Sequence, residues 1–212
     1  TGKPLALDQQ EPEHVAEAIS RLGLKHVVIT SVDRNDLADG GAAHFAETIS
    51  QVKAKCPGTQ VEVLIPDFRG KGEALSWVFA AKPHILNHNL ETVRSLQKTV
   101  RPQADYERSL EVLRMADEYG LVAKSGLMLG LGESDEELAE AIRDLRERGR
   151  VRILTLGQYL RPTPDHLEVR RYVSPAEFEE WAQFSEKLGF DFVASGPLVR
   201  SSYHADEAAL HF

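Results

Sequence analysis

A regular alternation of short apolar runs and amphipathic stretches spans the chain and limits its fold more than any other feature. Pro12 and Glu13 open a helix that carries Val15, Ala18, Ile19 and Leu22 on one face, and Gly23 is placed to end it. The β-branched run 26–30 reads as a strand buried on both faces. Phe45, Ile49 and Val52 mark a second helix, followed by a strand at 61–65, a weaker helix over 71–81 and a strand at 84–87. Helices are expected near 90–97 and over 105–119, the second burying Tyr106, Leu110 and Leu113. Strands at 122–129 and 153–158 flank a helix announced by the capping-box pair Ser134 and Glu137. Ser174, Pro175 and Glu177 start a last helix, and 192–194 a last short strand. Such β-α alternation implies a parallel sheet with right-handed crossovers. The spacing suits an α/β protein built as a (β/α) barrel or part of one. No linker or low-complexity tract divides residues 1–212, so one domain is expected, with a tail at 197–212.

Composition narrows the functional classes. The chain has 212 residues, 42% of them hydrophobic, enough for one substantial core. Lys and Arg number 25 against 33 Asp and Glu, a net charge of −8, which argues against a general nucleic-acid binder. No apolar run has the length of a membrane span and no basic-then-apolar leader is present, so a cytoplasmic protein with neither nucleic-acid nor membrane partners is expected. The single cysteine, Cys56, excludes an internal disulfide and a metal or iron–sulfur site built from this chain's cysteines.

Each expected strand stays apolar until its C-terminal end and then turns polar. Thr30, Ser31, Asp33 and Arg34 follow the first, Asp67 and Arg69 the second, Asn87, His88, Asn89 and Glu91 the third, and Gln158, Tyr159 and Arg161 the fifth. In barrels this rim carries the active site, because the loops converge there. Ordinary loop polarity accounts for Asp67 and Arg69. It does not account for two asparagines and a glutamate within 87–91, which offer amide donors and acceptors to one ligand. Gly126, Gly130 and Gly132 at a strand end admit close backbone approach to a ligand, with an anion site near Ser134, or merely make a tight turn. Lys124 is either a Schiff-base nucleophile inside the barrel or the partner of a carboxylate. His84 and His88 read as core or hydrogen-bonding histidines, since four residues along a strand is about 13 Å. The arginines from 143 to 152 read most simply as a solvated helix end, with a docking patch for an acidic partner as the subordinate alternative. Residues 197–206 lack periodicity yet gather Arg200, Ser201, Ser202 and Tyr203, as a segment held against the barrel mouth would.

Taken together these residues resemble the lipoyl synthases, a family of radical S-adenosylmethionine enzymes. The resemblance covers essentially the whole chain. It is carried by Val-Ile-Thr-Ser-Val-Asp-Arg-Asn-Asp-Leu-Ala-Asp-Gly-Gly (28–41), Asn-His-Asn-Leu-Glu-Thr-Val (87–93), Val-Arg-Pro-Gln-Ala-Asp-Tyr (100–106) and Lys-Ser-Gly-Leu-Met-Leu-Gly-Leu-Gly-Glu (124–133). Leu-Thr-Leu-Gly-Gln-Tyr-Leu-Arg-Pro (154–162), Arg-Tyr-Val-Ser-Pro-Ala-Glu-Phe (171–178) and Arg-Ser-Ser-Tyr-His-Ala-Asp (200–206) extend it. The stretch 126–133 also resembles the superfamily's G-x-I-x-G-x-x-E adenosine motif, with Met128 for the isoleucine.

The resemblance implies a partial (β/α) barrel and two [4Fe-4S] clusters. One cluster, held by C-x-x-x-C-x-x-C, cleaves S-adenosylmethionine to a 5′-deoxyadenosyl radical, which takes hydrogens from C6 and C8 of an octanoyl chain on a lipoyl carrier protein or lipoyl domain. The other, held by three cysteines and a serine, supplies the sulfur; an electron donor such as flavodoxin or ferredoxin is a further partner. By position the serine is Ser202, with Ser201 second, and Arg200 guards that site. Thr30, Ser31, Asn87, Asn89, Glu91 and Lys124 are expected to hold S-adenosylmethionine or substrate, with Gly130 and Glu133 near the adenosine. The opening Thr1-Gly-Lys-Pro resembles the residues that follow the last cysteine of C-x-x-x-C-x-x-C. The barrel's first strand and the cluster loop are therefore expected to be missing from this chain, which alone would be inactive. Arg94 stands where the family usually has proline. Two rivals remain: a Schiff-base barrel lyase using Lys124, and a non-catalytic barrel that binds a carrier protein.

Overall fold

A computed structural model describes residues 4–203 and 205–209. Six parallel strands, β1 (His26–Thr30), β2 (Gln60–Leu64), β3 (Ile85–Asn87), β4 (Val122–Leu129), β5 (Ile153–Gln158) and β6 (Phe192–Gly196), lie side by side in chain order. Helices α1 (Glu11–Leu22), α2 (Ala42–Lys55), α3 (Gly72–Ala80), α4 (Gln97–Val100), α5 (Tyr106–Glu118), α6 (Asp135–Glu147), α7 (Pro175–Lys187) and α8 (Ala205–Ala209) complete the order. None of the described helices is long and apolar enough to cross a membrane.

Local chemistry sets most boundaries where the sequence places them. Pro12 lies in the first turn of α1, and Gly23 closes it at φ 63°, its N–H bonding the carbonyls of Ile19 and Ser20. Ser134 with Glu137, and Ser174 with Glu177, form complete capping boxes at α6 and α7. The helix expected over 90–97 does not form. In its place are a 3-10 turn at Arg94–Leu96 and the single turn of α4. Residues 90–92 find their partners elsewhere: Leu90 N–H donates to Ser125 Oγ, Glu91 N–H to the Gly126 carbonyl, and the Gln97 amide to the carbonyls of Leu90 and Thr92. A backbone already satisfied by β4 gains nothing from coiling into a helix.

Side chains alternate across the sheet with period two. Val61, Val63, Leu86, Ala123, Leu154 and Leu156 face the helices in two apolar clusters, one with α1, α2 and α3, the other with α6 and α7. The opposite face encloses the barrel interior, which is layered. At the strand starts Ile85 and Ile153, flanked by Val122 and Phe192, pack with Ala208 of α8. Helix α8 also lies against β1, at the far edge of the sheet. Above this apolar floor sits an ionic layer: Lys124 Nζ lies 2.7 Å from Glu62 Oε1, His26 Nε2 3.5 Å from Glu62 Oε2, and the Asn87 amide donates to Glu62 over 3.4 Å. Lys124, Glu62 and Asn87 are each at most 1% exposed.

Candidate functional site

The strand ends and their loops form a cavity of about 720 Å³ directly above the ionic layer. Its walls include Asn89, Glu91, Gly126, Met128, Thr155, Gly157, Gln158, Tyr159, Arg200 and Ser201. The third strand's loop is clamped to β4 by Glu91, whose N–H donates to the Gly126 carbonyl at 2.9 Å and whose carbonyl accepts from Met128 N–H at 2.8 Å. This bridge requires Glu91 to sit at φ 68°, a conformation costly for a side chain with a Cβ. Burial pushes the Glu91 carboxyl above the usual carboxylate range, while the Arg101 charge and a hydrogen bond from Asn89 pull the other way.

Two further features mark the cavity as a ligand site. The buried Asn89 Oδ1 has no hydrogen-bond partner, an unusual cost inside a protein. Glycines line the wall where a side chain has no room. A Cβ on Gly126 would meet Thr155 Oγ1 at 2.4 Å and Asn89 Oδ1 at 3.2 Å, and one on Gly157 would meet the Val199 carbonyl at 2.3 Å. That close approach fixes the 197–201 segment against β5, with the Arg200 guanidinium donating to the Val199 carbonyl at 2.6 Å.

The structure brings Asn89, Glu91 and Arg200 together and separates the other sequence candidates. Asn87 and Lys124 lie in the ionic layer beneath the cavity, because Lys124 is only the third residue of β4 and pairs in register with the first of β5. Thr30, the last residue of β1, and Ser31 just after it are exposed and do not line this cavity. Ser201 is on the wall, whereas Ser202 is exposed beside it; His204 and residues 1–3 lie outside the described residues. Gly130 and Glu133 build a loop. The Glu133 carboxylate accepts from the N–H groups of Gly130 (2.5 Å), Leu131 (2.9 Å) and Gly132 (3.0 Å). The helix N-terminus at Ser134, expected as an anion site, is closed by the Ser134–Glu137 capping box, and the Glu133 carboxylate fills the loop of N–H groups just before it. A Cβ on Gly130 would meet the Arg171 carbonyl at 2.3 Å, so this loop carries the 158–171 segment that roofs the cavity.

Other candidates take structural roles. His88 is buried between the Ile65 carbonyl (2.9 Å) and Ser109 Oγ (3.1 Å), and burial pushes its pKa down to about 4. His84 accepts from the Val61 N–H at 2.9 Å. Of the arginines over 143–152, Arg146 in the last turn of α6 donates to the Gly189 carbonyl just after α7, and Arg152 just before β5 donates to Asp191 just before β6. Asp67 and Arg69, polar as ordinary loops are, line a second rim cavity of about 990 Å³ with Arg34, Arg101 and Arg108. Gln158 was the residue whose role the sequence least revealed. Its buried side chain donates to the carbonyls of Leu129, Tyr159 and Arg171 and accepts from Val173 N–H, so one amide joins β4, β5 and the roof.

The residues fit S-adenosylmethionine in kind: a carboxyl group and an amide oxygen for hydroxyl and ammonium groups, in a cavity of ligand size. They do not provide an iron–sulfur site. Among the described residues no group of three His, Cys, Asp or Glu is arranged to hold a metal, and Cys56 caps α2 with its Sγ 3.7 Å from the Ala16 carbonyl.

The model of the radical SAM superfamily matches residues 1–145. The lipoyl synthase of Leptospira biflexa serovar Patoc is 54% identical over 206 residues, covering 97% of this chain and 67% of that protein. For the lipoyl synthase of Caldanaerobacter subterraneus subsp. tengcongensis the identity is 55% over 207 residues, covering 97% and 72%. The enzyme of Methylococcus capsulatus is 56% identical over 211 residues, covering 98% and 65%. The chain thus spans about two thirds of the length of these relatives. Among solved structures, methylornithine synthase (PylB) matches with a TM-score of 0.62 at 12% identity, covering 92% of this chain and 64% of that one. Streptococcus suis SuiB bound to S-adenosylmethionine matches with a TM-score of 0.65 at 12% identity, covering 92% and 45%. At such identities these two share the fold.

Proposed function

The chain belongs to the lipoyl synthases of the radical SAM superfamily, and from that premise we propose that its protein inserts two sulfur atoms, at C6 and C8, into an octanoyl group carried by a lipoyl carrier protein. The observation that carries the reading is the loop Asn89–Glu91. It is strained and strapped to β4, and it presents a partnerless amide oxygen and a half-buried carboxyl group to the cavity.

In this reading Asn89 Oδ1 accepts from the ammonium or a ribose hydroxyl of S-adenosylmethionine, and Glu91 accepts from a second such group. Gly126 leaves room at the wall for the Thr155 and Asn89 side chains, and Gly157 lets the 197–201 segment close against β5. Gly130 and Glu133 act as positioning residues that hold the roof over it. Bound there, S-adenosylmethionine supplies the radical chemistry that removes unactivated hydrogens. Thr30 and Ser31 serve the exposed side of the same rim, and Arg200 orients the segment that carries Ser201 and Ser202. We assign Ser202 the role of a cluster ligand, with Ser201 as the alternative. The two [4Fe-4S] clusters need thiolates that one cysteine cannot supply, so the cysteine ligands come from outside these 212 residues, and the 212 residues alone are inactive in sulfur insertion. A flavodoxin or ferredoxin supplies the electron. Lys124, buried and paired with Glu62, gives a Schiff-base reaction no access and no free amine.

The test is binding rather than turnover. Titration of S-adenosylmethionine into the chain, followed calorimetrically, is expected to show saturable binding that Asn89→Ala and Glu91→Gln each weaken about tenfold, roughly 1.4 kcal/mol per variant. Unchanged affinity in both variants, with folding intact by circular dichroism, would reject this site.

A further inference from the structure

The second rim cavity, about 990 Å³, is formed by the loop after β1, the loop after β2 and the segment leading into α5. Five cations line it, Arg34, Arg69, Lys71, Arg101 and Arg108, against two carboxylates, Asp33 and Asp67, on a chain whose net charge is −8. Four of the five are anchored from behind. Arg34 donates to Asp36 and to the Leu5 carbonyl, Lys71 to the Ala38 carbonyl, Arg101 to the Asn89 carbonyl at 2.9 Å, and Arg108 to Asp67 at 2.6 Å. A guanidinium has five N–H donors, so each anchored arginine keeps donors for a partner.

Arg69 differs. Its side chain makes no hydrogen bond or ion pair among the described residues, and its backbone is left-handed at φ 55°, between Phe68 at 46° and Gly70 at 72°. Two consecutive non-glycine residues in this region cost about 1–2 kcal/mol each. The turn is locked by Asp67, whose Oδ1 accepts from Arg69 N–H at 2.9 Å, and by the Phe68 ring buried against Gly40. With Phe68 held inward, Arg69 is held outward. A small anion would draw cations to one point; here they are spread over three loops, each fixed separately, as a broad carboxylate-bearing surface requires. The cavity also adjoins the cofactor site. Arg101 lines the one and holds the backbone of Asn89, which lines the other.

We propose that this cavity docks an acidic face of the carrier protein, with Arg69 as its free cation, so that the carrier's acyl-lysine arm passes over the Asn89–Arg101 contact into the glycine-lined cavity. The proposal rests on the functional reading above for the identity of the partner.

The test uses the full-length protein, an octanoylated lipoyl carrier protein, and a short uncharged peptide bearing octanoyl-lysine. Wild-type affinity for the carrier is expected to fall steeply with added salt. Arg69→Glu should weaken carrier binding about tenfold or more at low salt while leaving peptide binding unchanged, and Arg69→Lys should restore most of it. Lys25→Glu, an exposed charge reversal just before β1 and so at the opposite end of the barrel, should have no effect. Carrier binding that is indifferent to Arg69→Glu, or equally weakened by Lys25→Glu, overturns the docking site. A wild-type protein that binds neither peptide nor carrier overturns the functional reading, and the docking proposal with it.

Discussion

Glu62 stands in the middle of an apolar strand and is wholly buried, with Lys124, Asn87 and His26 around it. Removing one member of a buried ion pair strands the other charge, whereas replacing both by apolar groups is often nearly neutral. Glu62→Leu is therefore expected to lower unfolding stability by about 3–5 kcal/mol, and the double variant Glu62→Leu/Lys124→Met to recover most of it, both read from urea denaturation. Equal loss in single and double variants would show that the layer does not act as a pair. The sequence offered Lys124 a carboxylate partner, and the structure supplies one, but it did not disclose Glu62, which lies 62 positions away and looks like an isolated exception in an apolar run. Gly157 was legible only in principle: a lone glycine within a strand signals close backbone approach, but not whose backbone.

At the scale of elements, β4 and the loop before α4 form one unit, and the sequence pattern misread half of it. Strand β4 is as the alternation of residues demands, while the apparent helix at 90–97 is a clamp. Helical periodicity in Leu90, Val93 and Gln97 arises because these residues are buried for another reason: they seal the loop against β4 and α5. Ser125 Oγ, fully buried, is the acceptor for Leu90 N–H at 3.1 Å. Ser125→Ala leaves that donor unpaired, and a loss of about 1–3 kcal/mol in stability is expected, accompanied by weaker S-adenosylmethionine binding. Calorimetry and a denaturation curve on the same sample check both. Full affinity in a destabilised variant would separate the clamp from the site. The caps of α1, α6 and α7 were readable because their chemistry is contained within three or four adjacent residues; the clamp was not, because its partners are supplied by another strand.

For the whole molecule, acid sensitivity follows from His88. Its pKa falls from the ordinary 6.5 to about 4, chiefly through burial and despite the Ile65 carbonyl and Asp67, with Arg101 and Arg108 adding to the depression. The unfolded chain binds this proton first, so stability is complete above pH 6.5 and is lost as pH falls toward 4, by on the order of 3 kcal/mol. Urea midpoints measured between pH 7 and 4 are expected to decline across that window, and His88→Gln to flatten the decline. A wild-type midpoint constant from pH 7 to 4.5 would contradict the assignment.

The stacking of each strand on its sequence neighbour has a kinetic corollary. Every sheet pairing joins consecutive strands, so the sheet grows by local steps with modest loop closures. The packing of α8 on β1 is the exception, joining segments more than 170 residues apart in the chain. The apolar anchor of α8 is small, Ala208 among the starts of β3, β4, β5 and β6, so its packing forms after the sheet and opens before it. The barrel thus has a floor that detaches without melting its walls, and amide exchange in β1 and α8 should run ahead of exchange in β3, β4 and β5.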